Sequence, residues 1–175
     1  MRRPKGRVDE TVYVGVGSNL GDRQAHLAAA ETALRQVEGV TLLRRSRLYD
    51  TRAVGPEQPR FLNGVWELAC ALPPRRLLSV LQAVEQKLGR TAKGLQRPRT
   101  VDLDVLLWGE RILVEPDFQI PHADMHRRRF VLEPLAELSP EARHPVLGLT
   151  IQQLLEQLPS ADVLPLEAMG APARP

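Results

Sequence analysis

The sequence predicts an α+β fold, with a mostly antiparallel sheet, two helices on one of its faces and further helices at the C-terminal end. Three observations predict it. Four short runs read as strands, and of the two segments between them that read as helices one has a capping aspartate and a terminating glycine while the other keeps a 3.6-residue apolar period. The six follow one another as βαββαβ, the order of a ferredoxin-like sandwich.

Each element has a local cause. "TVYVGVG" (11–17) reads as a strand from its β-branched content and alternation. "SNLGD" is a turn, and Asp22 can cap a helix over "RQAHLAAAETALRQV" that Gly39 ends. "TLLRRSRLYDT" (41–51) and "FLNGVWELACAL" (61–72) read as the second and third strands. Pro74 opens the second helix, where Leu77, Leu78, Leu81, Val84 and Leu88 keep the helical period and Gly89 stops it. "TVDLDVLLW" is the fourth strand. Beyond it, "ERILVE" reads as a short strand, "ADMHRRRFVLEPLAEL" as broken helical turns, and "TIQQLLEQL" as a short helix capped by Thr150. Residues 10–160 are expected to form one domain, with disordered tails at 1–9 and 161–175.

Composition narrows the function classes. The chain has 43% hydrophobic and 26% charged residues, as an ordinary globular protein does, and no apolar run long enough for a membrane span. No apolar segment follows the basic N-terminus, so a secretory signal is not expected. The single cysteine, Cys70, cannot form an internal disulfide, and a cytoplasmic location fits that. Of the formal net charge of +3, residues 1–10 carry +2, so the rest is near neutral and a broad nucleic-acid surface is disfavoured. A monomer that binds small molecules is expected.

Two connections exceed what their strands need: "RAVGPEQPR" (52–60) and "GRTAKGLQRPR" (89–99). Loops of this length in a compact domain are usually functional or disordered. The second leads into the most informative stretch, "RPRTVDLDVLLW". In a strand, alternate residues share a face about 6.6 Å apart along the chain. Asp102 and Asp104 therefore point one way, and Val101, Leu103, Val105 and Leu107 point the other way, toward the helices. Two carboxylates about 5 Å apart repel by about 3 kcal/mol at an effective dielectric near 20. That is a large share of the roughly 5–15 kcal/mol of a typical fold, so a counter-charge is expected.

A solvated sheet face would tolerate the pair. Two magnesium ions about 3.5–4 Å apart would also fit it, each keeping positions for water and phosphate oxygens. Arg90, Lys93, Arg97 and Arg99 precede the pair, and "HADMHRRRF" supplies His122, His126 and Arg127–Arg129 after it. Acidic metal ligands flanked by cationic donors suit a polyphosphate–magnesium complex.

At "RPRTVDLDVLL" the chain resembles the 6-hydroxymethyl-7,8-dihydropterin pyrophosphokinases of folate biosynthesis, which carry a P-R-x-x-D-L-D signature. "VGVGSNLGD", "YDTRAVGPEQPRFLNGV" and "IPHADMHRRRFVLEPLAEL" resemble three further blocks of that family, in the family's order. The resemblance implies transfer of pyrophosphate from ATP to the pterin hydroxymethyl oxygen, with release of AMP. It implies that Asp102 and Asp104 hold two Mg²⁺ ions and that Arg90, Arg99, His122 and Arg128 contact ATP phosphates. Gln82, Glu85 and Val105 would be nucleotide contacts. Gly17, Thr51, Val54, Phe61, Asn63 and Phe130 would form the pterin slot. The sequence departs from the pattern in three places: Gln96 and Arg97 replace a usual Trp-Gly, Ala92 stands where a second loop arginine is usual, and "TRAVG" lacks a proline.

The residue chemistry of the pterin end agrees. A flat heterocycle with a donor–acceptor edge wants aromatic faces and an amide. Phe61 and Asn63 share a strand face, and Phe130 is one of only three phenylalanines. Two alternatives stand beside this reading. One is a Mg²⁺-dependent nucleotide transferase with another acceptor. The other is an RNA-binding module on the same fold, although such modules use an aromatic, basic sheet face rather than paired carboxylates.

Overall fold

The structure is a computed structural model that describes residues 10–89, 98–160 and 163–166. Its centre is a twisted antiparallel sheet. Strand β1 (Glu10–Ser18) lies in the middle, flanked by β5 (Asp102–Trp108) on one side and β4 (Phe61–Cys70) on the other. The far edge of β4 is shared. Its C-terminal half pairs with β2 (Val40–Arg45), and its N-terminal end pairs with β3 (Tyr49–Thr51). A short β8 (Val163–Pro165) adds to β3, so the ordered chain continues past residue 160 into the expected tail. The rest of both expected tails lies outside the described residues.

Where the sequence reads one strand over 41–51, the structure has two. Arg45 pairs with Trp66 and Tyr49 with Asn63, so one strand advances four residues while its partner advances three. The extra residue is absorbed at 46–48. There Ser46 N–H donates to the Val65 carbonyl and Ser46 Oγ accepts from Val65 N–H, both at 2.9 Å. Gly64 makes room for this, because a Cβ there would lie 3.0 Å from Leu48 Cδ2. The result redirects the chain toward the cleft described below.

Helices α1 (Arg23–Arg35) and α2 (Pro74–Lys87) pack on one face of the sheet. Asp22 caps α1 by accepting from Ala25 N–H at 3.0 Å, and Pro74 opens α2 at its first helical position. Leu27, Ala30, Leu34, Leu77, Leu81 and Val84 meet Val12, Val14, Val16, Leu103 and Val105 in one buried cluster. Helices α3 (Arg129–Leu138) and α4 (Ile151–Glu156) cover part of the other face, with Leu132, Leu135, Leu138, Ile151 and Leu154 against Tyr13, Val65 and Leu106. Residues 123–138 resolve into a 3₁₀ turn, Met125–Arg127, followed by one helix that contains Pro134. Thr150 and Gln153 form a reciprocal capping box at the start of α4. The short strand expected in 110–115 is β6 (Leu113–Glu115), and it pairs with β7 (Phe118–Ile120) rather than with the main sheet.

One expectation about β5 needs correction. Val101, Leu103 and Val105 do face α1 and α2, but Leu107 packs on the opposite face, with Leu106 and the α3–α4 cluster. A bulge explains this: Val14 pairs with Val105 and Tyr13 with Leu107, leaving Leu106 extra. An extra residue shifts the alternation by one, and Trp108 returns to the α1–α2 core.

Candidate active site

The second sheet face is only partly covered by α3 and α4, and a cleft of about 220 Å³ opens where they stop. Strand register builds it. Gly17 pairs with Asp102 on one side and with Asn63 on the other, and Gly15 pairs with Asp104. Three neighbouring strands thus present two carboxylates, two glycines and an amide in adjacent rows. The glycines matter because they leave the floor open. A Cβ on Gly17 would fall 2.5 Å from Asn63 Oδ1, and one on Gly15 would fall 3.3 Å from Leu106 Cδ2.

One end of the cleft is charged. Arg99 Nη1 donates to Asp102 Oδ2 at 2.9 Å, with both side chains only about a fifth exposed. That is the counter-charge that the carboxylate spacing requires. His122 and Arg128 line the same wall. His122 Nδ1 accepts from Asp124 N–H at 3.1 Å, so the proton of its neutral ring sits on Nε2, which acts as a donor. Burial first, and then the charge of Arg128, hold this imidazole below the ordinary histidine value. Arg128 is braced by Asp124 at 3.0 Å, and its guanidinium lies 5.9 Å from the Phe130 ring centroid.

The other end carries aromatic and amide groups. Phe61, Asn63, Val54 and Phe130 all line the cleft. Phe61 and Asn63 share a face of β4, and Phe130 overhangs from the first turn of α3. Asn63 Nδ2 donates to the buried Thr51 Oγ1 at 2.7 Å, which fixes the amide and leaves Oδ1 over Gly17. The loop before Phe61 is clamped by Asp50, a buried carboxylate. Asp50 accepts from Arg23 Nη1 at 3.0 Å and forms an ion pair with Arg60, while Arg23 also donates to the Arg60 carbonyl at 3.0 Å.

Of the residues the sequence singles out, Gly17, Val54, Phe61, Asn63, Arg99, Asp102, Asp104, His122, Arg128 and Phe130 come together in this cleft, and Thr51 supports it from behind. Gln82, Glu85 and Val105 are not among its described walls. Glu85 is buried in α2 and accepts from Leu103 N–H at 2.7 Å, and Val105 lies in the core beneath. Arg90, Lys93, Gln96 and Arg97 lie outside the described residues. Arg52 and Gly15 line the cleft without having been singled out. Strand alternation places Gly15 beside Gly17, a signal that was available in the sequence. No comparable signal marks Arg52 or the Asp50 clamp.

No cluster of three or more metal-ligating side chains occurs among the described residues. The donor set is two carboxylates beside cationic groups. Mg²⁺ suits such a set, because it normally takes one or two protein carboxylates and completes its shell with water and phosphate oxygens.

The cleft thus joins an acidic and cationic end to an aromatic, amide-bearing end. The sequence is similar over residues 13–140 to the family of 7,8-dihydro-6-hydroxymethylpterin-pyrophosphokinases, and the chain belongs to that family. It is 42% identical over 153 residues to the 2-amino-4-hydroxy-6-hydroxymethyldihydropteridine pyrophosphokinase of Synechocystis, covering 87% of this chain and 78% of the relative. The Pseudomonas aeruginosa protein of the same name is 42% identical over 151 residues, covering 86% of this chain and 93% of the relative. The fold is similar to the solved HPPK-DHPS of Plasmodium falciparum, with a TM-score of 0.68 at 13% identity over 87% of this chain. The chain matches 44% of that longer protein.

Proposed function

We infer that this cleft carries out the family's reaction, the transfer of a pyrophosphoryl group from ATP to 6-hydroxymethyl-7,8-dihydropterin in folate biosynthesis. The observation that carries the reading is the pairing of Gly17 with both Asp102 and Asn63, which sets a phosphate-handling pair and a pterin-reading amide on either side of one bare strand.

The pterin would lie between Phe61 and Phe130, with its donor–acceptor edge toward Asn63, whose Oδ1 and remaining N–H are held in place by Thr51. Its hydroxymethyl group would then point toward the carboxylates. Asp102 and Asp104 would hold two Mg²⁺ ions, which when bound neutralise charge on the phosphates and favour ionisation of the attacking hydroxyl. Arg99, Arg128 and His122 Nε2–H would donate to phosphate oxygens, and Arg90, Gln82, Glu85 and Val105 would serve the nucleotide as the family resemblance implies. The pterin oxygen attacks the β-phosphorus, the bond from that phosphorus to the α-bridging oxygen breaks, AMP leaves, and the hydroxyl proton passes to solvent. The nucleophile belongs to the substrate, so the protein's work is positioning and charge stabilisation.

The same reading treats the βαββαβ core, with strands ordered fourth, first, third and second, as a ferredoxin-like sandwich closed by α3 and α4. It takes residues 10–160 as one domain acting as a monomer. A cytoplasmic location is supported by the lone, buried Cys70. No described helix is long and apolar enough to cross a membrane. Incubation with ATP, Mg²⁺ and the hydroxymethyl pterin tests the function. Formation of the pterin diphosphate supports it, and no transfer to this acceptor under conditions that retain the folded protein refutes it.

A further inference from the structure

Asn19 belongs to neither substrate end, yet it is only 2% exposed and its amide is fully engaged. It sits just past β1, where the chain turns toward α1. Its main-chain N–H donates to the Arg99 carbonyl at 3.1 Å, and its Oδ1 accepts from Arg99 N–H at 2.8 Å, closing a ring around that one residue. Its Nδ2 donates to Gln58 Oε1 and to the Pro59 carbonyl, each at 3.0 Å. The partners come from two different loops. Gln58 and Pro59 lead into Phe61 and Asn63, and Arg99 leads into Asp102 and Asp104.

We propose that Asn19 is a positioning residue that sets the pterin end and the phosphate end of the cleft at a fixed spacing by tying the 52–60 loop to the segment carrying Arg99. The physical case rests on completeness and reach. Both Nδ2 hydrogens and Oδ1 are used and the side chain is buried, so the amide can rotate only by losing bonds. Its oxygen holds one loop and its nitrogen the other, so the two halves of one side chain serve different substrates. In-line transfer between two bound molecules is sensitive to displacements of about 1 Å, and the spacing between the ends is what such a brace controls. Surrounding groups agree. The Asp50 clamp fixes the last residue of the pterin loop, and the Arg99–Asp102 bond fixes the first charged pair of the other segment, leaving Asn19 as the link between them.

The split between oxygen and nitrogen provides the test, which rests on the pyrophosphokinase reading. Asn19→Asp keeps an acceptor for Arg99 N–H but cannot donate to Gln58 or Pro59. The expected result is a KM for the pterin raised about tenfold with the KM for ATP within about twofold of wild type. Asn19→Ala loses the side-chain bonds to both loops and keeps only the main-chain bond to the Arg99 carbonyl, and both KM values rise while kcat falls about tenfold or more. If either Asn19 variant fails to give a cooperative thermal transition, Gln58→Leu removes a loop-side acceptor alone and should raise the pterin KM selectively. A purely structural Asn19 would lower kcat through the folded fraction with both KM values unchanged. That pattern, or an equal change of both KM values in Asn19→Asp or Gln58→Leu, overturns the proposal. A wild-type protein that does not transfer pyrophosphate would instead overturn the functional reading.

Discussion

Arg99 Nη1 lies 2.9 Å from Asp102 Oδ2, so the strand that carries two same-face carboxylates already holds a cation against one of them. The repulsion between carboxylates at i and i+2 predicts such a partner. Magnesium and ATP together would displace this arginine from the carboxylate onto phosphate oxygens. Arg99→Ala should therefore raise the KM for ATP about tenfold or more, and Arg99→Lys, a point charge without the planar fork, should recover only part of the loss. Steady-state kinetics with varied ATP checks both.

Asp102→Ala and Asp104→Ala should each fold and lose about a hundredfold or more in kcat. Far-ultraviolet circular dichroism establishes the fold, and turnover at saturating substrates gives the activity. Near-wild-type turnover by either variant would remove that residue from the reaction.

Gly17→Ala tests the bare floor. The new Cβ would stand 2.5 Å from Asn63 Oδ1 and 3.5 Å from Phe61 Cδ1, so the amide must leave its place over the strand. Pterin affinity should fall about tenfold or more while ATP affinity changes little, as read by isothermal titration with each substrate. Equal pterin affinity in the variant would show that Asn63 does not read the ring.

His122 should titrate below the ordinary histidine value of 6.5, because burial and Arg128 both oppose its charged form. The folded state then binds fewer protons than the unfolded state between that lowered value and 6.5. The contribution of His122 to stability is complete above 6.5 and is lost as pH falls from 6.5 through the folded value. Nucleotide phosphate beside Nε2 should raise the value again. Imidazole nitrogen shifts followed through a pH titration, with and without a nonhydrolysable ATP analogue, check both directions.

Glu85→Ala should cost about 1–3 kcal/mol of stability in urea denaturation, because Leu103 N–H loses its buried acceptor. Glu85→Gln keeps an acceptor and should cost less. A stability change in Glu85→Ala with no change in ATP affinity would make Glu85 a support for β5 rather than a nucleotide contact.

Much of this site was legible in the sequence because strands impose a period of two. Asp102 with Asp104, and Phe61 with Asn63, are same-face pairs by arithmetic alone, and the helical face of α2 follows from apolar spacing. The period fails where a residue is inserted. Neither the bulge that sends Leu107 to the α3–α4 side nor the break at 46–48 is visible without knowing the partner strand. The Asn19 brace and the Asp50 clamp were unreadable for a related reason. Their partners lie 39–80 residues away for Asn19, and 27 and 10 residues away for Asp50, and only the folded loops bring them together.

The central claim is that Asp102 and Asp104 seat divalent cations that carry the triphosphate. Counting protein-bound Mn²⁺ by electron paramagnetic resonance, in the presence of a nonhydrolysable ATP analogue and the pterin, tests it most directly. Two ions per wild-type chain, both lost or strongly weakened in the Asp102→Ala/Asp104→Ala double variant, is the predicted result. The same number bound with the same affinity by the double variant would contradict it.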